Sequence, residues 1–193
     1  KDTEAFVGHY SEVDAKGTSL GLTGIYDGGA DDNSFSTLAS FQGLAVQAAS
    51  SEDVFTVTGT GSFGLYCGLA GAVTVDVIDS DTVAFIGANA DINKDTTGRY
   101  DLQSVSVAGV NDLSVFAFAG GIAGGIAGIS GGVNVGVLLN DTSASIGNGA
   151  EVSAADNIAV NAASTRDLMG ISVSAAGGAV GLAGSVSVWV VGG

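Results

Sequence analysis

Proline is absent from the 193 residues of this sequence, and cysteine occurs once, as Cys67. A single cysteine excludes an internal disulfide, so a disulfide-stabilised framework is ruled out. Basic side chains are also scarce, because 5 Lys and Arg stand against 20 Asp and Glu and give a formal net charge of -15. Faces that bind nucleic acid or anionic membranes need clustered basic residues, so both are excluded as partners.

Glycine, in contrast, is abundant, with 32 residues where ordinary usage would give roughly 13. The glycines keep no three-residue period, which together with the missing proline excludes collagen. Apolar residues make up 46% of the chain. This content is enough to build a core, and it excludes an acidic disordered tail.

Three sequence landmarks recur in the same order and define a repeat. A glycine-rich stretch followed by a Val-x-Val-x-Val run starts at Gly68, Gly128 and Gly181, at broadly similar intervals. A small-Ile-Gly motif at 84–92 recurs at 144–152 and, with valine in place of isoleucine, at 5–13. A polar pair precedes each glycine-rich stretch.

The landmarks predict a single segment over 1–193, with repeats at about 45–104, 105–158 and 159–193. We expect this segment to be a fragment of a longer repeat array. Residues 16–44 separate the first motif from the next valine run and match no repeat. They are predicted to form an inserted loop or hairpin.

Alternating valines indicate strands, because Val73, Val75 and Val77 share one face of an extended chain. About three strand-plus-turn segments in each repeat suggest a coil of roughly 20 residues, the size of a β-solenoid turn. Glycine provides the positive φ that corners need, and missing proline fits ladders paired on both sides. The predicted fold is all-β, as a parallel β-solenoid.

A helical alternative stays open for part of the chain. Leu113 to Leu139 carries no charge, and Gly120, Gly124 and Gly128 have the GxxxG spacing. Membrane-spanning helices are disfavoured because glycine is a poor helix former and no basic residues flank the run. A short glycine-rich helix within 118–131, packed on the solenoid, is the local alternative.

Motifs at 144–152, 158–164 and 181–188 carry a family resemblance. Their sequences are Ala-Ser-Ile-Gly-Asn-Gly-Ala-Glu-Val, Ile-Ala-Val-Asn-Ala-Ala-Ser and Gly-Leu-Ala-Gly-Ser-Val-Ser-Val. They resemble the repeat region of very large bacterial surface exoproteins, the leukotoxin-type and filamentous-haemagglutinin-like adhesins. The resemblance covers about 45–193, with 5–15 as a further half-copy. It implies a right-handed parallel β-helix, secretion, and a role as an elongated stalk or adhesive fibre.

The predicted function is therefore a structural or adhesive segment of an extracellular or cell-surface bacterial fibre. Its expected partners are further copies stacked head to tail, neighbouring repeats of the same chain, and a cell-surface or glycan ligand. No catalytic motif maps onto the chain, so no enzyme activity is expected. The alternative is a secreted carbohydrate-binding or polysaccharide-processing β-helix.

Two groups of carboxylates are candidate calcium ligands: Asp27, Asp31 and Asp32, and Asp76, Asp79 and Asp81. Calcium prefers several oxygen ligands, which polar loops supply. Neither group has the Asp-x-Asx-x-Asx-Gly pattern, and a solvated polar turn is the alternative at both. No other cofactor is expected.

The sequence also predicts the surroundings of three individual residues. His9 is the only histidine and is expected in an exposed turn without a catalytic role. Cys67 lies in an apolar setting, so a small buried thiol is predicted. Trp189 alternates with Val188 and Val190. It is predicted to point outward, away from the valine face.

Overall fold

A computed structural model describes residues 1–31 and 34–193. The described chain is all-β and contains no helix, hence none that could cross a membrane. Its strands are β1 (Asp2–Val7), β2 (Glu12–Val13), β3 (Ile25–Asp31), β4 (Ser34–Leu38), β5 (Gln42–Phe63), β6 (Cys67–Ile86), β7 (Asp91–Ile92), β8 (Gln103–Gly124), β9 (Ala127–Ile146), β10 (Glu151–Val152), β11 (Ile158–Gly177) and β12 (Val180–Gly192).

Each repeat contributes one strand to each of several shared sheets. Sheet A has the order β1-β6-β9-β12, sheet B the order β2-β7-β10, and sheet C the order β5-β8-β11. Strand β12 lies parallel to β9, with Val180 opposite Ala127 and Gly192 opposite Leu139. In sheet B, Glu12 and Glu151 both lie opposite Asp91 in parallel pairs. Neighbouring strands are therefore equivalent segments of successive repeats.

The predicted short coil is wrong, because each strand pairs with a strand of the next repeat rather than with a nearby segment of its own repeat. Glu151 lies opposite Asp91, and Asp2 lies opposite Asp81. Single strands are as long as the predicted coil, since β5 and β8 have 22 residues each and β6 and β9 have 20 residues each. One repeat therefore passes once through the sheets. The glycine- and alanine-rich stretches are mostly extended strand rather than corners.

The glycine-rich helix within 118–131 is also wrong, since these residues form the end of β8, a short turn and the start of β9. A Cβ added to Gly128 would lie 2.8 Å from the carbonyl oxygen of Gly177. The glycine thus allows neighbouring strands and turns to approach closely. Helical GxxxG spacing here reflects small side chains in a packed ladder.

The described chain divides into two compact units. Unit 1 comprises 1–51, 80–113 and 141–166, and unit 2 comprises 52–79, 114–140 and 167–193. Unit 1 has a core of branched and small apolar side chains drawn from sheets A, B and C. Its buried members are Val46, Ala48, Ala84, Ile86, Ala90, Ile92, Val105 and Val107.

The small-Ile-Gly motif forms a corner of unit 1. Tyr10, Asn89 and Gly149 occupy the same position in three copies and have φ values of 57°, 55° and 74°. A Cβ on Gly147 would lie 2.6 Å from the backbone nitrogen of Ala88 in the preceding corner. The motif therefore combines a left-handed residue with a glycine that allows adjacent corners to stack.

The segment predicted as an insertion, 16–44, contains antiparallel pairing. Strands β3 and β4 form an antiparallel pair, and Leu22 bridges Phe41. The pair is attached to sheet C at two points. Gln47 Oε1 accepts a 2.7 Å hydrogen bond from Tyr26 N, and Asn161 Nδ2 donates a 3.2 Å bond to Asp27 O.

In unit 2 the apolar and polar faces of the strands are reversed relative to unit 1, so the apolar face points outward. In β6, Val73, Val75 and Val77 are exposed, whereas Thr74 and Asp76 are buried. The buried rows of this unit consist largely of glycine, alanine, serine and threonine. Small side chains let the two facing sheets approach closely, and most of the larger apolar side chains remain on the outside.

Candidate functional site

The sheets end in open strand edges in the part of the chain that the structure describes. Strand β12 is the last strand of sheet A and has a neighbour only on its β9 side. At the other end of this sheet, β1 pairs with Asp81–Ile86 and leaves 67–80 of β6 uncovered on that side. Unpaired edges offer backbone N–H and C=O groups to another strand.

Burial changes abruptly at the β12 edge. Asn134 on β9 is 0% exposed, whereas Ser187, which lies directly opposite it on β12, is exposed. The same change separates buried Ser130 from exposed Ala183. Both pairs belong to inward rows, so the interior of unit 2 is uncovered on the side of β12.

Trp189 faces inward, and the predicted outward orientation is wrong. Its ring lies opposite Gly136 and also occupies the space where Gly170 would carry a side chain. The valines on either side point outward, so alternation places the indole on the inner row. Its Nε1 is buried without a hydrogen-bond partner among the described residues.

The outer faces of unit 2 are apolar on both sheets. On sheet C, the Phe55 ring stacks on Phe116 with centroids 5.1 Å apart, and Phe55 is 74% exposed. On sheet A, exposed apolar side chains include Leu69, Val73, Val75, Val77, Leu182, Val186, Val188 and Val190. An apolar face of this kind marks an interaction surface.

The interior of unit 2 is polar and joins the two sheets by side-chain hydrogen bonds. Thr56 Oγ1 donates to Asp76 Oδ1 at 2.8 Å, and Thr74 Oγ1 lies 3.2 Å from Thr58 Oγ1. Asn134 Nδ2 donates to Ala117 O at 3.3 Å. These bonds cross between strands of sheets A and C, so they fix the two sheets against each other within this unit.

The first predicted calcium group lies in the insertion. Asp27 Oδ1 accepts hydrogen bonds from Ser36 Oγ and, at 2.9 Å, from Gly29 N. The Ser36 hydroxyl, followed by the Gly29 amide, lowers the pKa of Asp27. Asp31 is exposed at the end of β3, and Asp32 lies outside the described residues.

The second predicted group is spread over two faces of β6. Asp76 is buried, Asp79 is exposed, and Asp81 lies opposite Asp2. Among the described residues, no three His, Cys, Asp or Glu side chains form a group that could hold a metal ion. Calcium at either group stays a prediction.

Basic side chains of unit 1 are engaged with acidic ones. Lys94 Nζ lies 2.7 Å from Asp91 Oδ2, and this contact, with Glu151 and Glu12 nearby, raises the pKa of Lys94. Lys16 Nζ lies 2.8 Å from Asp95 Oδ2 and holds the pKa of that carboxyl well below its usual range. The first pair ties a loop to strand β7, and the second joins two loops.

His9 and Cys67 were singled out by the sequence. His9 is exposed, and its Nδ1 accepts a 2.8 Å hydrogen bond from Ala88 N in the next corner. This contact gives the imidazole a structural partner.

Cys67 is exposed at the start of β6, so the predicted buried thiol is wrong. The alternation that turns the valines outward exposes Cys67 as well.

Comparison with known proteins identifies no family for this chain. No family model, curated protein or solved structure matches the chain. The site is therefore argued from its own geometry. Its principal elements are the two open edges of sheet A and the apolar faces beside them. The alternating valines revealed the strands, but only the paired positions reveal which edges are open.

Proposed function

We propose that this chain is a segment of an extracellular or cell-surface fibre of the bacterial adhesin type, with a right-handed parallel β-helix as its fold. Successive repeats share sheets, which supports this architecture. The segment serves as a stalk that extends by pairing its open edges with further repeats, either of a longer chain or of a second copy. The apolar faces of unit 2 provide its contact surface.

One observation carries the proposal: the two open edges of sheet A have matching sequences. The residues from Gly68 to Val75 read Gly-Leu-Ala-Gly-Ala-Val-Thr-Val, and those from Gly181 to Val188 read Gly-Leu-Ala-Gly-Ser-Val-Ser-Val. Stacked in this register, like side chains form continuous rows, an arrangement that stabilises stacked parallel strands. The interior rows exposed on β12 would become buried.

The lengths of the two edges also correspond. Strand β12 has 13 residues, and the uncovered stretch of β6, 67–80, is of nearly the same length. A second copy placed there by its β12 would leave β6 paired along its whole length, because β1 already covers Asp81–Ile86. The joint would thus add a strand without displacing one.

A cysteine cross-link tests this joint. The matched register places native Cys67 of one copy beside Val180 of the next, at the Cα separation of adjacent strands, about 4.8 Å. This separation suits a disulfide. Under mild oxidation, Val180→Cys should form a ladder of covalent oligomers, since each copy then carries one cysteine at each edge.

Leu182→Cys is the matched control. It moves the introduced thiol two residues along the same face, roughly 7 Å along the strand, which is too far for a bridge in the matched register. We expect it to cross-link far more slowly, because a bridge would require the strands to leave the matched register. Equal rates, or dimers alone for both variants, would contradict the joint.

A proline variant tests the same edge without a thiol. Val180 N donates to Ile126 O at 3.1 Å, so alternate residues of β12, including Ser187, direct their N–H groups away from β9. Ser187→Pro removes a donor on the open side only, and Ser187→Ala is its control. Trp189, the only tryptophan, reports association by its fluorescence. Fluorescence and sedimentation that stay concentration-dependent in Ser187→Pro would refute edge pairing.

A further inference from the structure

A cavity of about 410 Å³ lies within unit 1, between the inserted antiparallel pair β3–β4 and sheet C. The insertion side is lined by Tyr26, Leu38 and Phe41. The sheet side is lined by residues of β8 and of β11 with the loop before it, including Ser106 and Asn161. Its volume falls within the range of roughly 300–1,000 Å³ that is typical of small-molecule sites.

Two of the residues that line this cavity each carry a buried polar atom that lacks a partner among the described residues. Ser106 is only 2% exposed, and its Oγ makes no hydrogen bond. Gln42 donates from Nε2 to Ser19 O at 3.2 Å, yet its Oε1 is buried and unpaired. Because buried polar groups are costly when unpaired, a hydroxyl and an amide oxygen left in this state point to a hydrogen-bonding ligand.

The charge of the lining narrows the class of ligand. No Lys, Arg or His is found among the described residues that line the cavity, whereas Asp27 and Asp156 both are. An anionic ligand would be repelled by these carboxylates in a chain of net charge -15. Asp156 Oδ2 is held by Asn157 Nδ2 at 3.0 Å and lies 3.4 Å from Ser104 Oγ. This carboxylate is therefore oriented within the site as an acceptor for hydroxyl groups.

The remaining lining combines apolar surface with hydrogen-bonding side chains. Tyr26 and Phe41 contribute aromatic rings, and Leu102 and Ile158 contribute aliphatic surface. Hydroxyl and amide groups come from Ser104, Ser106, Gln42 and Asn161. A sugar ring matches both properties, because its C–H face packs on apolar and aromatic side chains while its hydroxyls both donate and accept.

We propose that this cavity binds a neutral saccharide, with Ser106 Oγ and Gln42 Oε1 as hydrogen-bonding partners and Tyr26 and Phe41 as the apolar contact. The site lies wholly in unit 1 and does not depend on edge pairing. It gives the insertion a role in ligand binding that the repeats, which lack equivalent residues, do not supply. A fibre that bears it would present one such site for every insertion.

The test uses the full chain and defined probes, namely maltose, cellobiose and di-N-acetylchitobiose, with digalacturonate as the anionic counterpart. Amide chemical shifts should change around 26, 38–42, 102–106 and 156–161 with at least one neutral disaccharide, and not with digalacturonate. Ser106→Ala should weaken binding about tenfold. Because the removed hydroxyl has no partner, the thermal midpoint without sugar should not fall. Ser145→Ala, at an exposed serine of β9, is the control and should bind like the parent chain.

Three results would overturn the proposal. One is no shift change with any neutral probe up to the millimolar range, together with bound water on Ser106 and Gln42 in a crystal structure. A second is binding that Ser106→Ala and Gln42→Leu leave unchanged. The third is a preference for digalacturonate. A lack of association would bear only on the fibre, because monomeric chain suffices for this titration.

Discussion

Units 1 and 2 contain strands of the same repeats but use their two faces in opposite ways. In unit 1, branched side chains such as Ile86 and Val107 are buried, and charged pairs and polar loops lie at the surface. In unit 2, most branched and aromatic side chains are outside, with Trp189, Val115 and Leu138 as exceptions, and threonine, serine and glycine are inside. The same alternation therefore supports a conventional core in one unit and an exposed apolar surface in the other.

This difference in which face is buried determines what each unit can do alone. Unit 1 buries apolar area, the main favourable contribution to folding, and needs no partner to do so. Unit 2 relies on backbone ladders and on hydrogen bonds across a narrow polar interior. It leaves much of its apolar surface exposed for contact with something else. The following predictions test this contrast, from the largest expected effect to the smallest.

The largest effect should come from truncating a core residue of unit 1. Ile86 is 0% exposed, so Ile86→Ala should lower the free energy of unfolding by about 2–5 kcal/mol. Val75→Ala, at a residue 64% exposed on unit 2, should change it by less than about 0.5 kcal/mol. Urea unfolding followed by circular dichroism measures both. Similar costs for the two variants would contradict the assignment of faces.

A smaller effect is expected from adding a methyl group at a stacked corner. In Gly147→Ala the new Cβ would meet the Ala88 backbone at 2.6 Å, so we expect a loss of about 1–3 kcal/mol from overpacking. At Gly71, in unit 2, an added Cβ meets nothing within 4 Å. Gly71→Ala should therefore be neutral or slightly stabilising in the same urea assay. A stabilised Gly147→Ala would argue against close stacking of corners.

Charge placed on the outer face of unit 2 should affect association more than folding. Val75→Lys puts an ammonium on an exposed face, so folding should change by less than about 0.5 kcal/mol. Association through this face should weaken, because the ammonium would lose its hydration against apolar side chains, with Val188 of the next copy beside it in the matched register. Light scattering over a concentration series, with Val75→Thr as an uncharged polar control, measures this. Unchanged scattering would show that the face takes no part in association.

The smallest effect concerns surface ion pairs of unit 1. Lys16 lowers the pKa of Asp95, so in Lys16→Met that pKa should rise toward its ordinary value of 3.8. A carboxyl whose pKa is lowered in the folded state stabilises the fold at pH above its unfolded-state pKa. This stabilisation is lost as the pH falls through the folded-state pKa. Carboxyl-detected NMR titration checks the direction. Asp27 should respond similarly to Ser36→Ala, and no movement in either variant would contradict these contacts.

The strands can be predicted from sequence, but their faces and lengths cannot. Alternation at Val73, Val75 and Val77 reveals the period of two, yet the pattern is the same whichever face is buried. The buried face depends on the opposing sheet, which in unit 2 brings Thr56 against Asp76. Strand length is underestimated because Gly/Ala-rich runs resemble turns, although small side chains also permit closely spaced sheets.

The candidate site is predictable only in outline. Matching motifs suggest head-to-tail stacking, but the position of the free edge depends on where β1 ends on β6, and no local pattern encodes that. The cavity beside sheet C has no sequence signature, because Ser106 and Gln42 belong to segments far apart from Asn161 in sequence and carry no shared motif. Acidic residues close in sequence, such as Asp76 and Asp79, alternate between faces and do not converge.

The corner loops differ in length, yet the strand register across them is kept. Residues 93–102 join β7 to β8, whereas the shorter segment 153–157 joins β10 to β11. The register of β12 on β9 nevertheless runs without interruption from one end of β12 to the other. Insertions and deletions at corners would therefore leave the strand register intact. For the gene that encodes the chain, corner length is a trait that can vary independently of the contacts within each repeat.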